Sequence, residues 1–241
     1  MIRIAAVGDV HMDVDLLGRF RPALAELPQC ADVLLLAGDL TRHGTPQEAK
    51  CVAEEFGSLE VPVVAVLGNH DHQSDQQDEV SDILEQSGIT VLEGENIVFD
   101  TPGGRLGIAG VKGFGGGFAG RCASAFGERE MKIFVRTTEE SAERLRNALQ
   151  RLDCDVRVAL THYAPVPDTL VGEPVEIYPF LGSYLLGEAI DSVPTRLAVH
   201  GHAHAGSERG VTPGGVWVRN VAHPVIKQAF SVFNLDHGHS A

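Results

Sequence analysis

No apolar run in this chain approaches the roughly 18 residues that a membrane-spanning helix needs, so none of its segments reads as a transmembrane helix. Cysteine is scarce and scattered: Cys30, Cys51, Cys122 and Cys154 lie far apart with no CxxC pair. That spacing argues against a disulfide framework and fits reduced, inert thiols in a cytoplasmic protein. The first residues, MIRIAAVGDVH, lack the charged and long apolar regions of a secretion signal. Positive charge is also short, with 19 Lys and Arg against 33 Asp and Glu and a net charge of −14. A large footprint on a long polyanion is disfavoured, because such footprints come with a basic face; small anionic substrates remain open. Neither an internal repeat nor a low-complexity linker interrupts the chain. The expectation is one domain over residues 1–236 and a short tail, HGHSA, over 237–241 that holds His237 and His239.

What the sequence does hold is a series of short apolar runs: IRIAAV (2–7), VLLLA (33–37), VPVVAVL (61–67), VRVAL (156–160) and RLAV (196–199). They do not alternate with polar residues, so they read as strands buried on both faces. Helical spacing marks 15–26, 46–57, 76–87 and 138–151, and the alternation of strand with helix predicts a layered α/β fold. ENIVFD, GRLGIAGV, GVWVRNV and AFSVFNL are shorter, punctuated by Gly, Pro and Asp, and suit a more antiparallel portion, a second sheet. Charge is uneven. Residues 71–100 hold nine acidic residues and no Lys or Arg, whereas 112–136 form a basic island of Lys112, Arg121, Arg129, Lys132 and Arg136 against Glu128 and Glu130.

In open α/β sheets ligands bind at the carboxyl ends of the strands. Each of the five main runs ends in a side chain able to bind a metal: Gly8-Asp9-Val10-His11, Gly38-Asp39, Gly68-Asn69-His70-Asp71, Thr161-His162, and Gly201-His202-Ala203-His204. Singly, each is an ordinary turn, cap or structural histidine. Together they bring carboxylate, amide and imidazole donors to one crevice, the set a dinuclear site needs. Residues two apart in extended backbone project to the same side, so Asp9 with His11, and His202 with His204, can converge. The glycines permit tight turns and leave room for phosphate oxygens. The donor mixture suits manganese, iron or zinc more than calcium. The segment GVKGFGGGFAGR (110–121) reads as a flap that presents Lys112 and Arg121 to a substrate phosphate, or as a plain surface loop. In 173–184, Tyr178, Phe180 and Tyr184 are candidates to stack on a base, with packing into the core the alternative for Phe180. His43, His72, His200 and His223 fall near the crevice without matching a ligand position and are expected to support the ligands by hydrogen bonds.

The ordered blocks D-x-H, GD, GNH[D/E], H and GHxH resemble the calcineurin-like metallophosphoesterase superfamily, and here they span residues 8–204. The resemblance implies a layered sandwich of two facing mixed β-sheets flanked by helices. It implies two divalent metal ions, manganese first with iron or zinc as alternatives. Asp9, His11 and His204 would bind one, Asn69, His162 and His202 the other, and Asp39 would bridge them. The implied reaction is in-line attack on a phosphoester by a hydroxide held between the metals, with His70 protonating the leaving oxygen and Asp71 orienting the His70 ring. The protein phosphatase branch resembles GDxxDRG and GNHE, whereas this chain has GDLTRHG (38–44) and GNHD (68–71), closer to the phosphodiesterase branch. The sequence thus predicts a phosphodiesterase acting on a nucleotide or other small phosphodiester, without a membrane partner. A single-stranded nuclease, a phosphomonoesterase and a non-catalytic metal-binding scaffold are the alternatives. A metallo-β-lactamase-type site would need HxHxDH, and the nearest match, His200 to His204, lacks the Asp.

Overall fold

Strand β1 (Ile2–Val7) shows why the apolar runs do not alternate. Ile2, Ile4 and Ala6 enter one buried layer while Ala5 and Val7 enter another, so both faces of the strand are dry. The same division runs through β2 (Val33–Ala37) and β3 (Val63–Val66), which lie parallel to β1. In the computed structural model, which describes residues 1–236, these strands and β4 (Ile89–Val91) form one sheet, with the late strand β13 (Ser231–Leu235) antiparallel on its edge. The tail with His237 and His239 lies outside the described residues.

A second sheet has the order β11-β12-β10-β9-β6-β5. It contains β5 (Glu95–Thr101), β6 (Gly104–Val111), β9 (Val156–Thr161), β10 (Leu197–His200), β11 (Arg209–Val211) and β12 (Trp217–Asn220). Its centre is parallel, while the β5–β6 and β11–β12 pairs are antiparallel. The two sheets face each other across a shared apolar layer that includes Leu35, Val64, Ile108, Val158 and Val199. Each such fully buried side chain contributes about 1.5–3 kcal/mol, so the layer fixes how the sheets sit. The architecture is the expected α/β sandwich of two mixed sheets flanked by helices.

Helices cover the outer faces. On the first sheet lie α3 (Pro46–Phe56) and α4 (Gln77–Gln86); on the second lie α5 (Arg129–Gln150) and α7 (Tyr184–Asp191). The start of α3 is set by a reciprocal capping box between Thr45 and Glu48 with Pro46 in the first turn. Two sequence expectations need correction. Residues 15–26 do not form one helix but the end of a 3-10 turn (Val14–Leu16) and α1 (Arg21–Leu24), with a separate α2 (Leu27–Cys30) after them. Gly18 at φ 82° breaks the run, and Pro22 and Pro28 each begin a new short helix, because proline lacks the N–H that an interior turn requires. Conversely, α5 begins at Arg129 rather than 138, so most of the basic island is helical. The glycine-rich segment forms a small hairpin of β7 (Gly117–Phe118) and β8 (Arg121–Cys122). Two further short helices are α6 (Tyr178–Leu181) and α8 (His223–Ile226). No helix among the described residues is long and apolar enough to cross a membrane.

Candidate metal centre

The structure brings all seven candidate ligands to one place, the rim where the ends of both sheets meet. Asp9 and His11 follow β1, Asp39 follows β2 and Asn69 follows β3; His162 follows β9, and His202 and His204 follow β10. Ligand-capable atoms of Asp9, His11, Asp39 and His204 lie within 4.8 Å of one another, as do those of Asp39, His162 and His202. Asp39 belongs to both groups. The Asn69 Oδ1 joins the second, 3.0 Å from His162 Nε2.

The loops that present these groups are tightly wound. Asp9, His11, Asp39 and His202 all have positive φ (56°, 44°, 49° and 69°), a region costly for residues with a Cβ and concentrated at functional sites. Two glycines are required by what they touch. A Cβ on Gly38 would lie 2.5 Å from His162 Nδ1, and one on Gly68 would lie 2.1 Å from Asp39 Oδ1. The space they leave is therefore filled by the candidate ligands themselves, not held for phosphate oxygens.

Hydrogen bonds fix which ring nitrogen is free. His162 is fully buried and its Nδ1–H donates to the Ala37 carbonyl at 2.8 Å, leaving an Nε2 lone pair 3.0 Å from Asn69 Oδ1 and 3.3 Å from Asp39 Oδ1. Burial holds His162 well below the ordinary histidine range, so the ring is neutral. Three acceptors facing one another with no proton between them are repulsive alone and stable around a cation, so the residues fit a metal. His202 repeats the device: its Nε2 donates to the Phe180 carbonyl at 3.2 Å, and burial lowers its pKa to about 3. His11 has a buried Nδ1 with no hydrogen-bond partner and a pKa lowered to about 4, again by burial. Neutral imidazole is the form that binds metals.

The carboxylates are gripped by backbone amides. Asp9 accepts from His202 N–H at 3.0 Å and from His204 Nε2 at 2.8 Å; burial still raises its pKa to about 6, while that hydrogen bond raises His204. Asp39 accepts from His70 N–H at 2.8 Å.

His70 stands at the same rim, with Nε2 3.9 Å from Asp39 Oδ2. Its ring is held by the Arg42 carbonyl, which accepts from Nδ1 at 2.8 Å, and not by Asp71. Both Asp71 oxygens are occupied elsewhere: Oδ1 accepts from Thr41 N–H and Thr41 Oγ1, and Oδ2 from Gly68 and Leu40 N–H. Asp71 therefore ties the loop after β2 to the loop after β3. Desolvation raises its pKa to about 6.

Lys112, at the end of β6, lies half-buried with Nζ 5.2 Å and 5.5 Å from the Phe114 and Tyr163 ring centres. Burial lowers its pKa, and among the described residues it has no ion-pair partner. Arg121 is exposed on β8 and touches none of the candidate ligands.

The expected support from other histidines is mostly missing. His43 pairs with Glu48, His72 keeps a buried Nε2 without a partner, and His223 packs its ring on Phe20. His200 bonds Thr169 and the Gly201 carbonyl. Sequence reasoning overlooked Tyr163, whose ring lies 4.4 Å from that of His202, and Asn220, whose Nδ2 donates to the Ala203 carbonyl between the two histidines. Asn220 ends β12, so the strand-end rule that found the ligands applies to it too.

The calcineurin-like phosphoesterase family model matches residues 2–206. The chain belongs to that family. Its members are metallophosphoesterases, hydrolases that use divalent metal ions. The fold is similar to phosphopantetheinyl hydrolase from Mycobacterium tuberculosis, with a TM-score of 0.68, 16% identity, and coverage of 93% of this chain and 90% of that one. It is also similar to a phosphatase from Mycoplasma pneumoniae (TM-score 0.53, 15% identity, 93% and 72% covered). A third such structure is GAP50, the anchor in the inner membrane complex of Plasmodium (TM-score 0.58, 12% identity, 92% and 72% covered). No curated protein matches the sequence. The tertiary likeness at these identities carries the fold; the metallophosphoesterase assignment comes from the family match and the ligand geometry.

Proposed function

We propose that this metallophosphoesterase is a phosphodiesterase that hydrolyses a nucleotide or another small phosphodiester with two divalent cations, manganese by preference. The reading treats 1–236 as one domain, and it places the protein in the cytoplasm because its cysteines are all free thiols. The observation that carries it is the membership of Asp39 in both ligand groups, the arrangement of one carboxylate shared by two cations. Asp9, His11 and His204 would hold one ion, Asn69, His162 and His202 the other. When bound, the pair supplies charge neutralisation at the phosphoryl oxygens and acidifies water.

The chain's own residues supply the rest. With Nδ1–H spent on the Arg42 carbonyl, His70 can present Nε2 to the leaving oxygen and hand it a proton. Asp71 keeps the two loops that carry Asp39 and His70 in register. Lys112, which has no ion-pair partner among the described residues and lies beside two aromatic rings, would attract a phosphate oxygen, and Arg121 would meet the more distant part of the substrate. Preference for diesters is supported by the GDLTRHG and GNHD blocks, which depart from the protein phosphatase pattern.

The test is turnover of bis(p-nitrophenyl) phosphate against p-nitrophenyl phosphate by protein loaded with Mn²⁺, extended to cyclic nucleotides, single-stranded DNA and a phosphopantetheine diester. Diester turnover that disappears in Asp39→Ala and drops in His70→Ala is expected. Absence of turnover with manganese, iron and zinc alike, or turnover indifferent to Asp39→Ala, overturns the reading.

A further inference from the structure

Among the described residues, two proton donors beside the metal centre have no acceptor. One is the Lys112 ammonium, already noted as lacking an ion-pair partner. The other is the hydroxyl of Tyr163, the residue that follows the candidate ligand His162. Tyr163 as a whole is only 7% exposed, yet its hydroxyl has no hydrogen-bond partner among the described residues and still touches solvent. Buried tyrosines ordinarily spend this group, as Tyr178 does on the Leu170 carbonyl at 3.0 Å.

The phenol has little freedom to seek a partner elsewhere. Its ring lies 4.4 Å from that of His202, meets His162 edge-on at 5.6 Å, and has Phe114 at 5.8 Å and Lys112 Nζ at 5.5 Å. The backbone is fixed as well. The Lys112 carbonyl accepts from the amides of both His162 and Tyr163, at 3.0 and 3.1 Å, and the Tyr163 carbonyl accepts from Thr161 Oγ1 at 2.9 Å. Phenol, ammonium and ligand are thus mounted on one piece of paired backbone. A donor held in place before the reaction costs no reorganisation when charge develops opposite it.

The missing acceptor is the one a phosphoester brings, since a phenol is a donor at neutral pH and its ring stands against a ligand of the centre. Position says which oxygen. The ring of His70 packs on His11 at 4.6 Å, in the first ligand group, whereas Tyr163 packs on His162 and His202 in the second. The two donors therefore serve different ends of the cluster, and the leaving oxygen belongs to His70. We propose that Tyr163 is a further substrate-contacting residue, whose hydroxyl donates a hydrogen bond to a phosphoryl oxygen that stays on phosphorus, beside the charge of Lys112. The inference rests on the phosphoesterase reading of the centre and not on its preference for diesters.

The test is Tyr163→Phe, which keeps the ring on His202 and removes only the oxygen, beside Tyr163→Leu, which removes the ring. Loaded with Mn²⁺, Tyr163→Phe is expected to keep the metal content of the parent by elemental analysis and to bind inorganic phosphate roughly tenfold more weakly by calorimetry. Turnover of bis(p-nitrophenyl) phosphate should fall roughly a hundredfold, as for the loss of one preorganised donor. That factor should be the same for diphenyl phosphate, whose leaving group is more basic, whereas the factor for His70→Ala should grow. Tyr163→Leu is expected to lose metal too, because the contact with His202 goes. Calorimetry reads the contact whether or not any ester is hydrolysed, which separates failure of this inference from failure of the proposed activity. A parent that binds no phosphate overturns the inference, as does Tyr163→Phe with phosphate affinity unchanged or with metal lost to the extent seen in Tyr163→Leu. A turnover penalty in Tyr163→Phe that rises with the basicity of the leaving group overturns the choice of oxygen.

Discussion

The two sheets contribute unlike halves of one site. The half after β1, β2 and β3 is oxygen-rich, with Asp9, Asp39 and Asn69 beside His11, and three of these four residues stand at positive φ. The half after β9 and β10 is imidazole alone: His162, His202 and His204. Short carboxylates have little reach, so their backbone must be bent toward the cations. Among the imidazoles, His202 is likewise at positive φ, and a carbonyl sets the ring of His162. Each half is also oriented by the other. The carbonyl that sets His162 is that of Ala37 in β2, and an amide that grips Asp9 is that of His202 after β10. Neither sheet could build the centre alone, and the apolar layer between them holds the two halves in register.

The comparison breaks most completely at Asp39, the group both halves share. Asp39→Ala is expected to leave fewer than two metal ions per chain by elemental analysis and to cost more than roughly a thousandfold in diester turnover, beyond the range for one electrostatic donor. Next in size is Gly38→Ala, whose new Cβ would meet the His162 ring and push the halves apart. A loss of about 1–3 kcal/mol in urea unfolding is expected, as for overpacking in a dense core. Metal affinity should fall with it.

Asn220→Ala sharpens the contrast, because the Asn220 side chain bonds the Ala203 carbonyl between the two ligands of the imidazole half. It strips the Ala203 carbonyl and the Ala222 amide of buried partners. The expectation is about 1–3 kcal/mol of stability and a metal affinity lowered by roughly tenfold, with the reaction otherwise intact.

The smallest effect concerns the oxygen-rich half. Burial pushes Glu48 up, but hydrogen bonds from His43 and from the His43 and Thr45 amides outweigh it, and its pKa is lowered overall. A depressed carboxylate stabilises the fold above its unfolded pKa of about 4.3 and loses that contribution as pH falls through the lower folded value. Glu48→Gln should therefore flatten the acid limb of a Tm-against-pH curve and leave the neutral region lower by a small amount.

Much of the site was legible because its signal is local. A buried strand followed by glycine and a ligand-type side chain is written in consecutive letters, and the blocks around Asp9, Asp39, Asn69 and His202 repeat it, with Thr161 in the glycine's place before His162. Other features carry no such letters. The holder of His70 is a backbone carbonyl, that of Arg42, which any residue could supply. Asp71 sits next to His70 in the chain yet points to Thr41 and Gly68, since a 3-10 turn over His70–His72 sends adjacent side chains to different sides. The first turns of α5 were missed because they have no buried face to impose an apolar period; the periodic part, Thr138 to Leu149, was found.

The sequence by itself determined which segments are strands buried on both faces, which residues end them, and the kind of donors they offer, because hydrophobic period and residue chemistry are properties of neighbours in the chain. Only the tertiary structure decided that β1, β2 and β3 belong to one sheet and β9 and β10 to another, that Asp39 sits between the two donor groups, and which carbonyl or amide sets each ring and carboxylate. Those depend on contacts between residues far apart in sequence, which exist only once the apolar layer has closed.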